Sequence, residues 1–104
     1  MMTLSLTPQI TTYLEPVAGK TPNEKVLSLL ESYLAAQIRA CEREINEYEI
    51  KYRSPFSEFA EAWEQGHIQN RYSHEIERDY MEWEGLVAEK GRWLEHLRNL
   101  PAQV

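Results

Sequence analysis

A long apolar stripe in the first half of the chain constrains the fold more than any other feature. Between Pro22 and Pro55 there is no glycine or proline, and apolar residues recur every three or four positions. That spacing places them on one face of a helix, close to the seam of a coiled coil. We therefore predict one helix of about thirty residues that buries a single face. The stripe consists of Leu27, Leu30, Leu34, Ile38, Cys41, Ile45, Tyr48 and Tyr52.

Three helix-start signals set the order of the helices. The segment Thr21–Glu24 contains a capping box with proline at the first helical position. Ser54 as the cap and Pro55 after it predict a short helix that Gly66 ends. Ser73 can cap a second long helix that Pro101 stops. We expect a mainly α fold, with a long antiparallel helical hairpin and a short elbow helix. The main apolar row of the last helix would be Ile76, Tyr80, Trp83, Val87, Leu94 and Leu97, with Leu86, Trp93 and Leu100 beside it.

A short strand and a helix are predicted before the hairpin. Residues Thr3–Thr7 alternate polar and apolar side chains, which is the period of a strand. Thr7 and Pro8 then open a helix predicted over Pro8–Ala18, although Pro16 must kink or end it. The first twenty residues would either pair as a ribbon with a second chain or lie as an extended arm along the long helix.

Composition excludes several classes of protein. The chain has 104 residues, one cysteine and four glycines, so it has neither an internal disulfide framework nor a glycine-rich phosphate loop. No apolar run approaches the roughly 20 residues that span a bilayer, and no basic segment precedes an apolar stretch at the N-terminus. We expect a cytoplasmic protein with no enzymatic activity and no cofactor. Because so short a chain buries a modest core, we also expect a homodimer or higher homo-oligomer.

The net charge of −6 is concentrated in one segment. Residues 54–89 contain nine acidic residues against only Arg71 and Arg78. This segment is either an ordinary solvated helix face or a surface that binds a small basic protein. On the second interpretation, the binding residues combine charged groups with apolar anchors. They are Phe59, Trp63, Glu75, Glu77, Asp79, Tyr80, Glu82, Trp83 and Glu84.

One pair of residues has the spacing of a metal site. Glu64 and His67 form a Glu-x-x-His sequence, which di-iron helical bundles use. A dimer of hairpins could in principle assemble such a site. Because Gly66 is predicted to end the helix, the two side chains need not share a face. A metal-binding bundle is therefore a remote alternative.

The first 35 residues resemble a ribbon-helix-helix module. Thr3–Thr7 matches its strand, Pro8–Ala18 its first helix, and Gly19–Glu24 its turn and second-helix cap. The resemblance implies dimerisation through paired strands that enter the DNA major groove. No outward strand residue is Arg, Lys, Gln or Asn, so we expect weak promoter binding. By this resemblance the DNA-contacting residues are Thr3, Ser5 and Thr7 on the strand and Lys20, Thr21 and Asn23 at the second helix.

The remainder, from Tyr48 to Leu100, is similar to small helical antitoxin-like proteins of archaea and cyanobacteria. The similarity lies in the runs Lys51–Arg53, Phe56–Phe59, Trp63–Gly66 and Tyr72–Leu86. It implies a protein-binding role beside a second small protein. We expect a dimerisation segment over 1–35 and a partner-binding hairpin over 36–104, with the helix of residues 22–53 continuous across the boundary. The function would be that of an antitoxin-like interaction protein that binds a basic partner such as a small nuclease toxin. The alternative is a structural hairpin that only oligomerises.

Overall fold

The computed structural model describes residues 5–101, and in this range the chain is built from α-helices alone. The helices are α1 (Pro8–Tyr13), α2 (Pro22–Tyr52), α3 (Phe56–Glu64) and α4 (His74–Arg98). The mainly α fold predicted from the sequence is therefore confirmed. No helix in the described range is long and apolar enough to cross a membrane.

The long helix α2 begins at the capping box that the sequence predicts. The Thr21 hydroxyl accepts a hydrogen bond from the Glu24 backbone N–H at 3.1 Å. The Glu24 carboxylate accepts in return from the Thr21 N–H at 3.0 Å. These bonds satisfy amides that have no partner inside the helix. The helix ends at Tyr52, where Arg53 turns the chain with a φ of 57°.

Helices α2 and α4 form an antiparallel hairpin. Tyr33 lies beside Trp93, Glu42 beside Lys90, and Tyr48 beside Trp83, so residue numbers rise along α2 as they fall along α4. The molecule measures 59 × 24 × 18 Å, and its radius of gyration of 19.9 Å exceeds the roughly 13 Å of a compact chain of this size. The hairpin is thus long and thin, and much apolar surface stays exposed.

The elbow helix α3 is capped by hydrogen bonds at its C-terminus, whereas no side chain caps its N-terminus. The Gly66 N–H donates to the Trp63 carbonyl at 3.1 Å and the His67 N–H to the Ala62 carbonyl at 2.8 Å. This pair of bonds, with Gly66 at a φ of 73°, is a Schellman motif. The predicted cap at Ser54 is wrong. Pro55 is the N-cap, and its carbonyl accepts from the Phe59 N–H, so the helix begins one residue later than expected.

The N-terminal segment differs from the predicted strand and helix. Residues 5–7 form no strand, since no second strand in the described range offers a hydrogen-bonding edge. Helix α1 starts at the predicted Thr7 cap but ends at Tyr13 instead of Ala18. Pro16 has no N–H for the Thr12 carbonyl, and the chain leaves the helix in tight turns. The described structure therefore does not show the predicted strand-helix segment, and Thr3 and Leu4 lie outside the described residues.

The buried row of α4 also differs from the predicted one. Val87 and Leu94, placed in the main row, are exposed, whereas Leu86 and Trp93 are half-buried. Lys90 takes a position in the seam because its ammonium pairs with the Glu42 carboxylate at 3.3 Å. A lysine stem can cover apolar surface while its charge stays near water. An apolar pattern alone therefore assigns this row incorrectly.

Candidate functional site

A cluster of aromatic rings fills the end of the hairpin where α3 crosses it. Trp83 is completely buried at its centre. Tyr48 and Tyr52 stack on it with ring centroids 5.7 and 5.8 Å away. Phe56 and Phe59 approach from α3 at 5.3 and 5.1 Å. Such aromatic contacts add to the free energy of burial, so the cluster fixes α3 against the hairpin.

The outer edge of this cluster is half-exposed. Trp63 stacks on Tyr80 with centroids 4.6 Å apart. The Arg71 guanidinium lies 5.3 Å from the centres of both the Trp63 and Tyr72 rings. Tyr72 is largely exposed. This edge presents flat aromatic surface to solvent next to charged groups, a composition common in protein interfaces.

The buried Asp79 anchors a partly exposed polar network against the aromatic cluster. It is 7% exposed, and its carboxylate accepts from the Lys51 ammonium and the Tyr52 hydroxyl at 2.5 Å each. Lys51 also reaches Glu75 at 2.9 Å. Burial alone would raise the pKa of Asp79, but the bonds from Lys51 and Tyr52 outweigh it and lower that pKa. The charge of Asp79 is therefore neutralised inside the chain.

A second bond on the same side involves Tyr48 and Glu82. The Tyr48 hydroxyl donates to the Glu82 carboxylate at 2.5 Å. This bond, with burial, raises the pKa of Tyr48 to about 12. Burial and the bond to Asp79 raise the pKa of Tyr52 to about 12 as well. Both hydroxyls therefore stay protonated at neutral pH and act as donors to acidic groups of α4.

Most carboxylates of the acidic segment have no cationic partner in the described range. Of its nine acidic residues, only Glu75 and Asp79 lie within 4.0 Å of a lysine or arginine nitrogen, that of Lys51. On α3, all three glutamates are exposed. The segment therefore keeps a strongly negative surface. The carboxylates without such a partner are Glu58, Glu61, Glu64, Glu77, Glu82, Glu84 and Glu89.

A cleft of about 410 Å³, which we call the elbow cleft, lies where the end of α2, the helix α3 and the start of α4 meet. Its walls include apolar groups of Phe59, Ala62, Ile68 and Ile76. The carboxylate-bearing side chain of Glu58 also lines it. It combines an apolar interior with a negative group in one place.

The structure separates the nine predicted partner-binding residues into three groups. Phe59 and Trp83 lie in the core, and Asp79 is buried in its ion pair, so these three present little surface. Glu75 and Glu82 are exposed but engaged with Lys51 and Tyr48. The third group is at least partly accessible and consists of Trp63, Tyr80, Glu77 and Glu84. Its two glutamates form no intramolecular ion pair in the described range.

Two of the six predicted DNA-contacting residues cap helices. Thr7 caps α1 and Thr21 caps α2, while Ser5 is exposed and Asn23 half-buried. The Glu24 carboxylate also accepts from the Lys20 N–H at 3.2 Å. A negative group thus already occupies the amides that would hold a phosphate. A bound phosphate would have to displace Glu24.

The Glu-x-x-His pair does not lie on one helix face. Glu64 is the last residue of α3, and His67 follows the left-handed Gly66. In the described part of the chain, no group of three or more histidine, cysteine or acidic side chains is arranged to hold a metal ion. The geometry thus gives no support to the metal-binding alternative.

Sequence reasoning missed Lys51, Tyr52 and Glu58 as parts of this site. Lys51 could have been found from the sequence, because it is a cation close to a segment with a large excess of carboxylates. The elbow cleft had no sequence signal, because its walls come from residues far apart in the chain. Comparisons with known proteins found no matching family model, no similar curated protein and no similar solved structure.

Proposed function

We propose that this chain is an antitoxin-like interaction protein that dimerises and binds a small basic protein, such as a nuclease toxin. The observation that most supports the proposal is the set of exposed carboxylates at the elbow that have no cation beside them in the described range. Glu58, Glu61 and Glu64 stand on α3, and Glu84 stands on α4. A long helical hairpin holds them on a rigid frame. A basic protein would neutralise them and relieve their mutual repulsion.

Binding at this end would combine charge attraction with aromatic contact. The carboxylates raise the rate of encounter with a cationic surface. The half-exposed rings of Trp63 and Tyr80 then offer apolar area beside them. Aromatic residues contribute disproportionately to binding energy at interfaces. In an antitoxin, such a contact would cover the cationic surface with which a nuclease holds its substrate.

Dimerisation would use the opposite end of the molecule. Leu29, Leu30 and Tyr33 are 46%, 45% and 56% exposed and share one face of α2. We call these three residues the apolar patch. Residues 22–38 contain only Glu24, Lys25 and Glu31 as charged groups, so two copies would meet here with little repulsion. The proposal includes only weak DNA binding, through Ser5, Thr7, Lys20, Thr21 and Asn23 together with Thr3.

The proposal is tested by co-expression with the adjacent open reading frame and size-exclusion chromatography with mass detection. We expect a stable complex with a small basic protein that dissociates as the salt concentration rises. Charge reversal at Glu58 and Glu61 should weaken the complex without changing the circular dichroism spectrum. Reversal at Asp79 is unsuitable, because it would place a second cation beside Lys51 at a buried position.

The alternative is a structural hairpin that only oligomerises. The apolar patch favours it, because an exposed apolar surface of this kind is common at contacts between copies of one chain. On this alternative the chain purifies without a stoichiometric partner, and charge reversal at the elbow changes nothing measurable. The same experiment therefore distinguishes the two functions.

A further inference from the structure

The elbow cleft has an interior suited to an aliphatic side chain. Its volume of about 410 Å³ falls within the range of pockets that hold small ligands, roughly 300–1,000 Å³. Apolar groups of Phe59, Ala62, Ile68 and Ile76 line it. Apolar surface exceeds polar surface in its lining, although Ser54 and Gln69 also line it, and the Tyr52 hydroxyl at its wall already donates to Asp79. The interior therefore offers mainly apolar contact.

The mouth of the cleft is negative and lacks a cation from its own chain. Glu58 lines the cleft, and Glu61 lies one turn further along α3. Neither lies within 4.0 Å of a lysine or arginine nitrogen in the described range. Arg71, the one lysine or arginine between Ser54 and Glu77, instead stacks on Trp63 and Tyr72. A cationic group from outside would complete this site.

We propose that the elbow cleft binds an aliphatic side chain of a basic protein segment whose neighbouring lysine or arginine pairs with Glu58 and Glu61. This inference rests on the proposed function and names the chemistry of its recognition. Charge complementarity selects this occupant. A second copy of the chain that met this one elbow to elbow would bring the same carboxylates to the mouth and be repelled. A neutral apolar molecule would leave Glu58 without a cation.

The test compares two fluorescein-labelled peptides by fluorescence anisotropy at low ionic strength. Both are lysine-rich, and they differ only in a central leucine or glycine. We expect the wild-type chain to bind the leucine peptide about tenfold more tightly, because the cleft buries that side chain. Ala62→Leu, which fills the cleft, should abolish the preference. Glu58→Lys should weaken both peptides.

The control is Ala88→Leu, an added side chain of the same size at an exposed position of α4. It should leave both affinities unchanged. Equal binding of the two peptides by the wild-type chain would overturn the cleft proposal even if Ala62→Leu fails to fold. A preference that survives in folded Ala62→Leu would also overturn it. In either case, peptide binding that still depends on Glu58 would remain consistent with the proposed function. Co-expression with the adjacent open reading frame tests that function independently.

Discussion

Replacement of Lys51 by methionine tests whether the buried charge of Asp79 depends on one cation. Methionine keeps most of the apolar stem of lysine and removes the ammonium that lies 2.5 Å from the Asp79 carboxylate. The variant leaves that carboxylate buried with the Tyr52 hydroxyl as its remaining donor among the described residues. A buried charge that loses its partner destabilises the folded state, because water in the unfolded state solvates it better.

The size of the effect follows from the burial of the two partners. Breaking a fully buried ion pair costs about 3–5 kcal/mol, whereas an exposed pair contributes about 0–1 kcal/mol. The Asp79 side chain is 10% exposed and that of Lys51 is 44% exposed, so this pair lies between the two cases. We expect Lys51→Met to lower the free energy of unfolding by about 2 kcal/mol. For a chain of this size, the melting temperature falls by on the order of 10 °C.

Urea unfolding followed by tryptophan fluorescence measures this effect, because Trp83 lies beside the network. Lys90→Met is the matched control, since Lys90 pairs with the half-exposed Glu42 at 3.3 Å. That variant should lose less than about 1 kcal/mol. In Lys51→Met/Asp79→Asn the penalty should shrink, because no charge is left buried. Equal stability of the two lysine variants would refute the reasoning.

Three further predictions concern the cluster, pH and the apolar patch. Trp83→Ala should destabilise the chain by about 3–5 kcal/mol, as measured by urea unfolding. Trp83→Phe should destabilise it by clearly less. Equal losses would contradict the close packing of the Trp83 ring. The pKa values of Tyr48 and Tyr52 are raised from 10.0 to about 12, so the unfolded state loses these protons at a lower pH than the folded state. Thermal melts should therefore show stability falling between pH 10 and 12. Tyr48→Phe/Tyr52→Phe should flatten that fall. Leu30→Glu should convert the proposed dimer to a monomer in light scattering, whereas Leu94→Glu, at an exposed position of α4, should not.

Local signals in the sequence predict the helices well because each signal acts within a few residues. The capping box at Thr21, the Ser73 cap and the Gly66 stop all form as expected. The stripe from Leu34 to Ile45 is buried for the same reason, since its helical period does not depend on distant residues. The bounds of the two long helices therefore follow from short-range physics.

The candidate site is less predictable because it depends on how helices meet. Asp79 has the same local sequence pattern as its exposed acidic neighbours, and its burial follows only from the register that places Lys51 and Tyr52 beside it. Phe59 and Trp83 were predicted as anchors for a partner, but α3 folds over the hairpin and brings them together. The position of α3 depends on Arg53 and the Schellman motif at Gly66, and their effect on its angle is not encoded in a periodic pattern.

The most direct test of the proposed binding surface compares two triple charge reversals in their affinity for the proposed basic partner, the product of the adjacent open reading frame. One variant changes Glu58, Glu61 and Glu84 to lysine at the elbow. The other changes Glu15, Glu44 and Glu47, which are also exposed and lie outside the apolar patch, and so makes the same change in net charge. We predict that the elbow variant loses at least about tenfold in affinity, while the matched variant stays close to wild type. Equal losses would mean that only net charge matters, and no loss in either would contradict the proposed binding surface.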